Sequence, residues 1–304
     1  LEWAGFEALA HVEYDRHACA TLRLNRPSWN VIEGDVRDFS AKKYKGVDLL
    51  AGGVPCPPFS VAGKQLGEND ERDLFPEALR LVAECKPKAV MLENVRGFLD
   101  AVFTDYRMNL KKQLNQLGYD SNWYLLHASD YGVPQLRPRV VIVALRKDLA
   151  KNFTPPTQLA DGRPPRTVGA MLGPLMASNG WEGAFEWAQN ADEIAPTLVG
   201  GSKKHGGADL GPTRAKRAWA SLGVDGKSLA DEAPPKGFRG MPKLTLQMTA
   251  LIQGFPVDWQ FAGGKTAAYR QIGNAFPPPV ASAVANRIRD AILGVESKLN
   301  RKRA

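Results

Sequence analysis

Cys56 sits among three prolines in Gly53-Val54-Pro55-Cys56-Pro57-Pro58-Phe59-Ser60, directly after an apolar run. The prolines fix the backbone around the thiol, and the preceding run reads as a buried strand, so the thiol is held at that strand's carboxyl end. A thiol is an effective nucleophile only as the thiolate, and its ordinary pKa of about 8.5 leaves little thiolate at neutral pH unless the site supplies positive charge. Taken alone, one such cysteine is more often a small buried hydrophobe. Two further segments change the balance. Leu92-Glu93-Asn94-Val95 puts a carboxyl group at the end of another apolar run, where shielding by the sheet would raise its pKa and let it hold or share a proton. Gln135-Leu136-Arg137-Pro138-Arg139 leads into Val140-Val141-Ile142-Val143, and its alternating arginines share one face, ready for an anion or a carbonyl oxygen.

The elements that must position these groups are legible from periodicity. From residue 8 to about 146, short apolar runs alternate with helical patterns, which predicts an α/β fold built on a largely parallel sheet with helices on both faces. Strands are predicted over 10–14, ending in the acid Glu13, and over 47–53, 89–92, 122–126 and 140–145. Helices are predicted over 1–7, 74–85, where Lys86-Pro87 breaks the pattern, and 106–117. After about residue 151 glycine and proline rise and apolar periodicity weakens. Basic residues gather there in Ser202-Lys203-Lys204-His205-Gly206-Gly207 and Thr213-Arg214-Ala215-Lys216-Arg217. Patterned sequence returns near residue 244, and residues 280–293 read as an amphipathic helix before a basic tail. The predicted division is therefore 1–150, 151–243 as a second, irregular domain, and 244–304.

With 304 residues and 44% hydrophobic content, the chain can bury a sizeable core. Its net charge of +8 suits a polyanionic partner, although a basic enzyme with no such partner explains the charge equally well. The three cysteines, Cys19, Cys56 and Cys85, lack the spacing of a zinc or redox motif, which points to a reducing compartment and no metal. No apolar run approaches the roughly 20 residues that span a bilayer, and no segment reads as a signal peptide, so a cytoplasmic protein without membrane contact is expected.

Read together and in order, these segments closely resemble the DNA cytosine-5 methyltransferase family. The resemblance takes in the acid-ended strand at Glu13, Gly34-Asp35-Val36, the Pro-Cys segment, Glu93-Asn94-Val95 and Gln-Leu-Arg-Pro-Arg. It continues through Gln253-Gly254-Phe255-Pro256 to Gln271-Ile272-Gly273-Asn274-Ala275-Phe276-Pro277-Pro278-Pro279. It implies a Rossmann-like, S-adenosylmethionine-dependent methyltransferase sheet (residues 1–150), a target-recognition domain (151–243) and a segment returning to the catalytic domain (244–304). Family members flip the target cytosine out of the duplex. By this resemblance Cys56 adds to ring carbon 6, Glu93 protonates ring nitrogen 3, Arg139 holds the carbonyl, and Arg137 and Gln135 brace the pocket.

The cofactor implied is S-adenosyl-L-methionine, with S-adenosyl-L-homocysteine as product. Glu13 would take the ribose hydroxyls, Tyr14 the adenine, and Asp35 its exocyclic amine, with Leu74, Pro55 and Asn274 completing the pocket and Val36 a further cofactor-binding residue. For double-stranded DNA, Ser60, Lys203, Lys204, Arg214, Lys216 and Arg217 are candidate contacts, and Thr197-Leu198 resembles the pair lying near the flipped base. Residues 61–72 read as a loop that closes on DNA. A chain of this size resembles bacterial restriction-modification enzymes, so a cognate restriction endonuclease and a monomeric state are expected. The family's opening strand and Phe-x-Gly-x-Gly-Gly loop have no counterpart in this sequence, so an upstream segment is expected to be missing and the sheet to lack its central first strand. At Leu244-Thr245-Leu246-Gln247-Met248 relatives usually carry Arg-Glu. The rival readings are a tRNA cytosine methyltransferase with the same catalytic segments and an inactive DNA-binding fragment.

Overall fold

Strand periodicity and helix caps divide the residues described by the computed structural model, 1–55, 73–157, 166–200 and 207–294, into six strands and ten α-helices. The chain opens with a 3-10 turn at Glu2–Ala4 in place of the longer helix expected over 1–7. Gly5, at φ 82°, adopts the left-handed conformation that ends helical turns. β1 (His11–Glu13) follows, and Asp15 starts α1 (Arg16–Asn25), its carboxylate accepting from the His17 amide at 2.8 Å. That bond satisfies a donor which every helix start leaves without an intrahelical partner. β2 (Val31–Glu33) then runs parallel to β1, with Glu13 opposite Glu33.

β3 (Leu49–Gly53), α2 (Phe75–Cys85) and β4 (Ala89–Val95) repeat the pattern, again parallel, with Gly53 opposite Glu93. α2 buries Phe75, Ala78, Leu81, Val82 and Cys85 at helical spacing and stops at Lys86, φ 45°, because the following proline disfavours helical geometry in the residue before it. α3 (Thr104–Gln116) leads to β5 (Tyr119–His127), and β6 (Pro138–Arg146) enters between β4 and β5, giving the order β3-β4-β6-β5. β6 is antiparallel to both neighbours. The expected largely parallel sheet is thus corrected to two parallel and two antiparallel pairings. Connection length explains it: residues 128–137 hold only a 3-10 turn at Ala128–Tyr131, whereas a parallel return needs a crossover of about a dozen residues or more.

Beyond the sheet come α4 (Lys147–Ala150), α5 (Val168–Ala177), α6 (Ala184–Asn190), α7 (Thr213–Ala220), α8 (Leu246–Gln253), α9 (Lys265–Asn274) and α10 (Pro278–Leu293). Alternation along β4 and β6 builds two layers. Leu92 and Ile142 pack with Val82 of α2 and Leu114 of α3 on one face, while Met91 and Val143 pack with Val284 and Ile288 of α10 on the other. Burying a side chain of this size contributes roughly 1.5–3 kcal/mol. A separate core holds the second lobe, where Leu172, Trp187 and Trp219 pack with Met248 and Ile252 of α8 and with Tyr269 and Ile272 of α9. Of the helices after residue 244, therefore, α10 packs on the sheet and α8 and α9 on the second lobe. Among the described residues no helix is long and apolar enough to cross a membrane.

Candidate active site at the carboxyl edge of the sheet

Glu93 lies near the end of β4, where β6 begins in the opposite direction, so the first residues of β6 share its edge. Arg139 is one of them, and its Nε stands 2.8 Å from Glu93 Oε1, with the two side chains only 13% and 10% exposed. Burial pushes the Glu93 carboxyl above the ordinary range, against the opposing pull of the Arg139 and then the Arg137 charge. An acid so placed holds a proton more readily than a solvated glutamate. Gly53 faces it from β3 without a side chain, and a Cβ there would stand 3.4 Å from Glu93 Oε2. The next residue, Val54, donates its amide to the Glu93 carbonyl at 3.2 Å, which ties the chain entering the Pro-Cys segment to β4. Cys56 and Ser60 themselves lie outside the described residues, as do Lys203 and Lys204.

Arg137 and Gln135 are fully buried and turn inward. Arg137 Nη1 donates to Leu198 O at 2.9 Å, and its Nη2 donates to Gly273 O at 2.6 Å and Ala275 O at 2.9 Å. The Gln135 carbonyl accepts from the Leu198 amide at 2.9 Å, and its Nε2 donates to Gln253 Oε1 at 2.9 Å. Both side chains therefore fasten main chain from distant segments, whereas Arg139 alone of the paired arginines meets the carboxylate. Leu198 is buried and Thr197 half-buried beside it. Sequence reasoning gave no role to Gln253 or Gly273, although both fall within the segments that carried the resemblance.

The second feature is a groove of about 1590 Å³ between β1 and β3. Glu13, Tyr14, Asp35, Val36, Pro55 and Leu74 all line it, and Asn274 does not. Asn274 instead ends α9 beside Gly200. Glu13 Oε1 accepts from the Asp15 amide at 2.7 Å. Asp35 is held by the exposed Arg37, whose hydrogen bonds lower the carboxyl's pKa. Tyr14 is 69% exposed and lines the groove. A carboxylate at a strand's carboxyl end beside an exposed aromatic ring suits a nucleoside, whose ribose hydroxyls and base need those two partners.

On the second lobe, Arg214 and Arg217 are exposed three residues apart on α7, so they project from one side of the helix. Lys216 is different: its ammonium pairs with Asp209 at 3.1 Å. Among the described residues no group of three or more His, Cys, Asp or Glu is arranged to hold a metal ion.

Comparison with known proteins bears directly on this geometry. The family model for C-5 cytosine-specific DNA methylase matches residues 1–290. The chain is 58% identical over 298 residues to Type II methyltransferase M.NaeI of Lentzea aerocolonigenes, covering 96% of this chain and 71% of that protein. It is 55% identical over 295 residues to Type II methyltransferase M.NgoMIV of Neisseria gonorrhoeae, covering 96% and 93%. Among solved structures, a prophage-encoded DNA modification methyltransferase from E. coli superposes with a TM-score of 0.65 at 22% identity, covering 96% of this chain and 94% of that one. The S. pombe Dnmt2 methyltransferase gives 0.64 at 16% identity with the same coverage, and at such identities the likeness speaks for the fold. With a family match over nearly its whole length and two relatives above 50% identity, the chain belongs to the C-5 cytosine-specific DNA methylase family.

Proposed function

We propose that the buried Glu93–Arg139 pair forms the floor of the pocket in which this DNA cytosine-5 methyltransferase takes a flipped cytosine, with Cys56 as nucleophile. The observation that carries the reading is a carboxyl group with a raised pKa, 2.8 Å from an arginine, at the edge to which Cys56 is tethered three residues beyond Gly53. The Cys56 thiolate adds to ring carbon 6 as Glu93 passes its proton to ring nitrogen 3, and Arg139 holds the carbonyl oxygen. This addition makes carbon 5 electron-rich. Bound S-adenosylmethionine supplies an electrophilic methyl group on its sulfonium. Once carbon 5 carries the methyl group, loss of its proton to water expels Cys56 by elimination and ring nitrogen 3 returns its proton to Glu93, which restores the aromatic ring, the thiolate and the acid. Arg137 and Gln135 serve as braces, since their polar groups are already committed to the main chain.

The groove is proposed as the cofactor site. Glu13 would accept from the ribose hydroxyls, Tyr14 and Val36 would cover the adenine, Asp35 would exchange Arg37 for the exocyclic amine, and Pro55 and Leu74 would close the apolar wall. Asn274 does not line the groove, and no direct contact with the cofactor is proposed for it. Ligand pockets run to roughly 300–1,000 Å³, and this groove exceeds that range while following β1 and β3 along their length. Ala51, Gly52 and Gly53 of β3 are exposed along it. For DNA, Arg214 and Arg217 are proposed as phosphate contacts with Lys203, Lys204 and Ser60, and Thr197 as a neighbour of the flipped base. Lys216 is proposed to contribute less, because Asp209 already neutralises it. The Type II relatives support a cognate restriction endonuclease as the cellular counterpart, and a monomer working in the cytoplasm is the simplest setting.

Transfer of a labelled methyl group from S-adenosylmethionine to mixed-sequence duplex DNA and to tRNA, with a Cys56→Ser control, tests this reading. Label on duplex DNA that disappears in the control is expected. Label on tRNA alone would move the assignment to RNA, and label retained by Cys56→Ser would remove the nucleophile.

A further inference from the structure

The segment from Ala195 to Gly200, whose Ala195 and Leu198 belong to the core of the second lobe, runs beside the chain that approaches β6. The Ala195 amide donates to Pro134 O and its carbonyl accepts from the Leu136 amide, each at 3.0 Å. Leu198 is then held on both sides of its backbone, by the Gln135 carbonyl at its amide and by Arg137 at its carbonyl. What orients Gln135 is Gln253, a fully buried residue at the end of α8. Gln253 Nε2 donates to Ala275 O, so its oxygen must face Gln135 and accept from Gln135 Nε2. That contact in turn leaves the Gln135 oxygen facing the Leu198 amide. One carbonyl of the chain after α9 thus fixes two amide side chains in series.

A second contact acts on the other end of the segment. Gly200 lies directly on Gly273 of α9, where a Cβ on Gly273 would fall 2.4 Å from both the amide nitrogen and Cα of Gly200. The carbonyl of the same Gly273 receives Arg137. Arg137 is two residues from Arg139 on the approach to β6, so the frame that holds Leu198 also holds the residue paired with Glu93.

We propose that Gln253 and the Gly200–Gly273 contact are positioning elements that hold Leu198, and with it the neighbouring Thr197, in register with Gln135 and Arg137 on the approach to Arg139. They act on the placement of the flipped base and leave the capture of DNA to the surface of the second lobe. The inference rests on the reading of Glu93 and Arg139 as the pocket floor. Neither element touches the groove, so cofactor affinity stays as it is.

The test measures single-turnover methyl transfer at saturating duplex DNA, DNA affinity and thermal melting for Gly273→Ala and Gln253→Met. A 2-aminopurine at the target position reports base extrusion. Both variants are expected to slow transfer about 10–100-fold, as ångström-scale misplacement does, with DNA affinity within about threefold and an altered extrusion signal. Gln253→Asn, which keeps a neutral amide but is one methylene too short to reach both Ala275 O and Gln135, replaces Gln253→Met should that variant melt below the assay temperature. A rate loss matched by an equal loss of affinity, or one that tracks the folded fraction alone, overturns the proposal. Wild-type protein and Glu93→Gln run alongside separate this from failure of the underlying reading, in which Glu93→Gln would transfer methyl groups as fast as wild type.

Discussion

The β4–β6 edge and the β1–β3 groove each carry an acid near the carboxyl end of a strand, Glu93 and Glu13, and they meet solvent in opposite ways. At the first, six successive residues of β4 are buried, Glu93 among them, and Glu93, Arg137 and Gln135 are all engaged. At the second, every residue of β1 is half-buried, β3 is exposed from Ala51 to Gly53, and Tyr14 stands open. The contrast suits two tasks. A group that must hold a proton and an arginine in fixed relation needs low dielectric and rigid neighbours, whereas a site that must admit and release a nucleoside needs accessible edges.

The largest expected effect that sharpens the contrast is on stability. Ile142→Ala in β6 removes a fully buried side chain between two layers and is expected to cost about 2–5 kcal/mol. Val12→Ala in β1 is expected to cost under about 1.5 kcal/mol, since its site is already half open. Urea denaturation of both variants checks this, and equal costs would break the comparison. Arg139→Ala comes next: it leaves Glu93 buried without its partner, at a cost of about 3 kcal/mol at neutral pH and less in acid, where Glu93 takes up a proton. On the groove side, Glu13→Ala is expected to weaken S-adenosylmethionine binding about tenfold or more with little change in melting temperature, measurable by calorimetric titration.

The smallest effect is a slope. Because the folded-state pKa of Glu93 is raised, its contribution to stability is complete below the ordinary glutamate value of about 4.3 and is lost as pH rises through the raised value. Over that window wild type should lose stability relative to Glu93→Gln, and denaturation at a series of pH values should show the gap moving in favour of the glutamine variant. A gap that does not change with pH would mean that the ion pair cancels the burial effect.

Much of this was legible in the sequence, for a physical reason. Strand ends are marked by apolar runs that stop at a glycine or an acid, so Gly53 and Glu93 could be placed at one edge from local pattern alone, whereas Arg139 joins them only because β6 runs antiparallel to β4. The braces could not be placed in this way. Gln135 and Gln253 are 118 residues apart, and nothing local to either announces a shared hydrogen bond. The same holds for β6, whose antiparallel entry between β4 and β5 depends on a short connection rather than on its own composition, which reads as a buried strand in either direction. Lys216 looked like its neighbours Arg214 and Arg217 until the loop carrying Asp209 folded against it.

The central claim is that Glu93, held in its buried pair with Arg139, supplies the proton that activates cytosine. Single-turnover methyl transfer by Glu93→Gln on saturating duplex DNA, with DNA affinity measured in parallel, addresses it most directly. A rate loss on the order of 10²–10⁴ with affinity nearly unchanged is the expected result. Transfer within a few-fold of wild type would contradict the claim and leave Glu93 as a structural partner of Arg139.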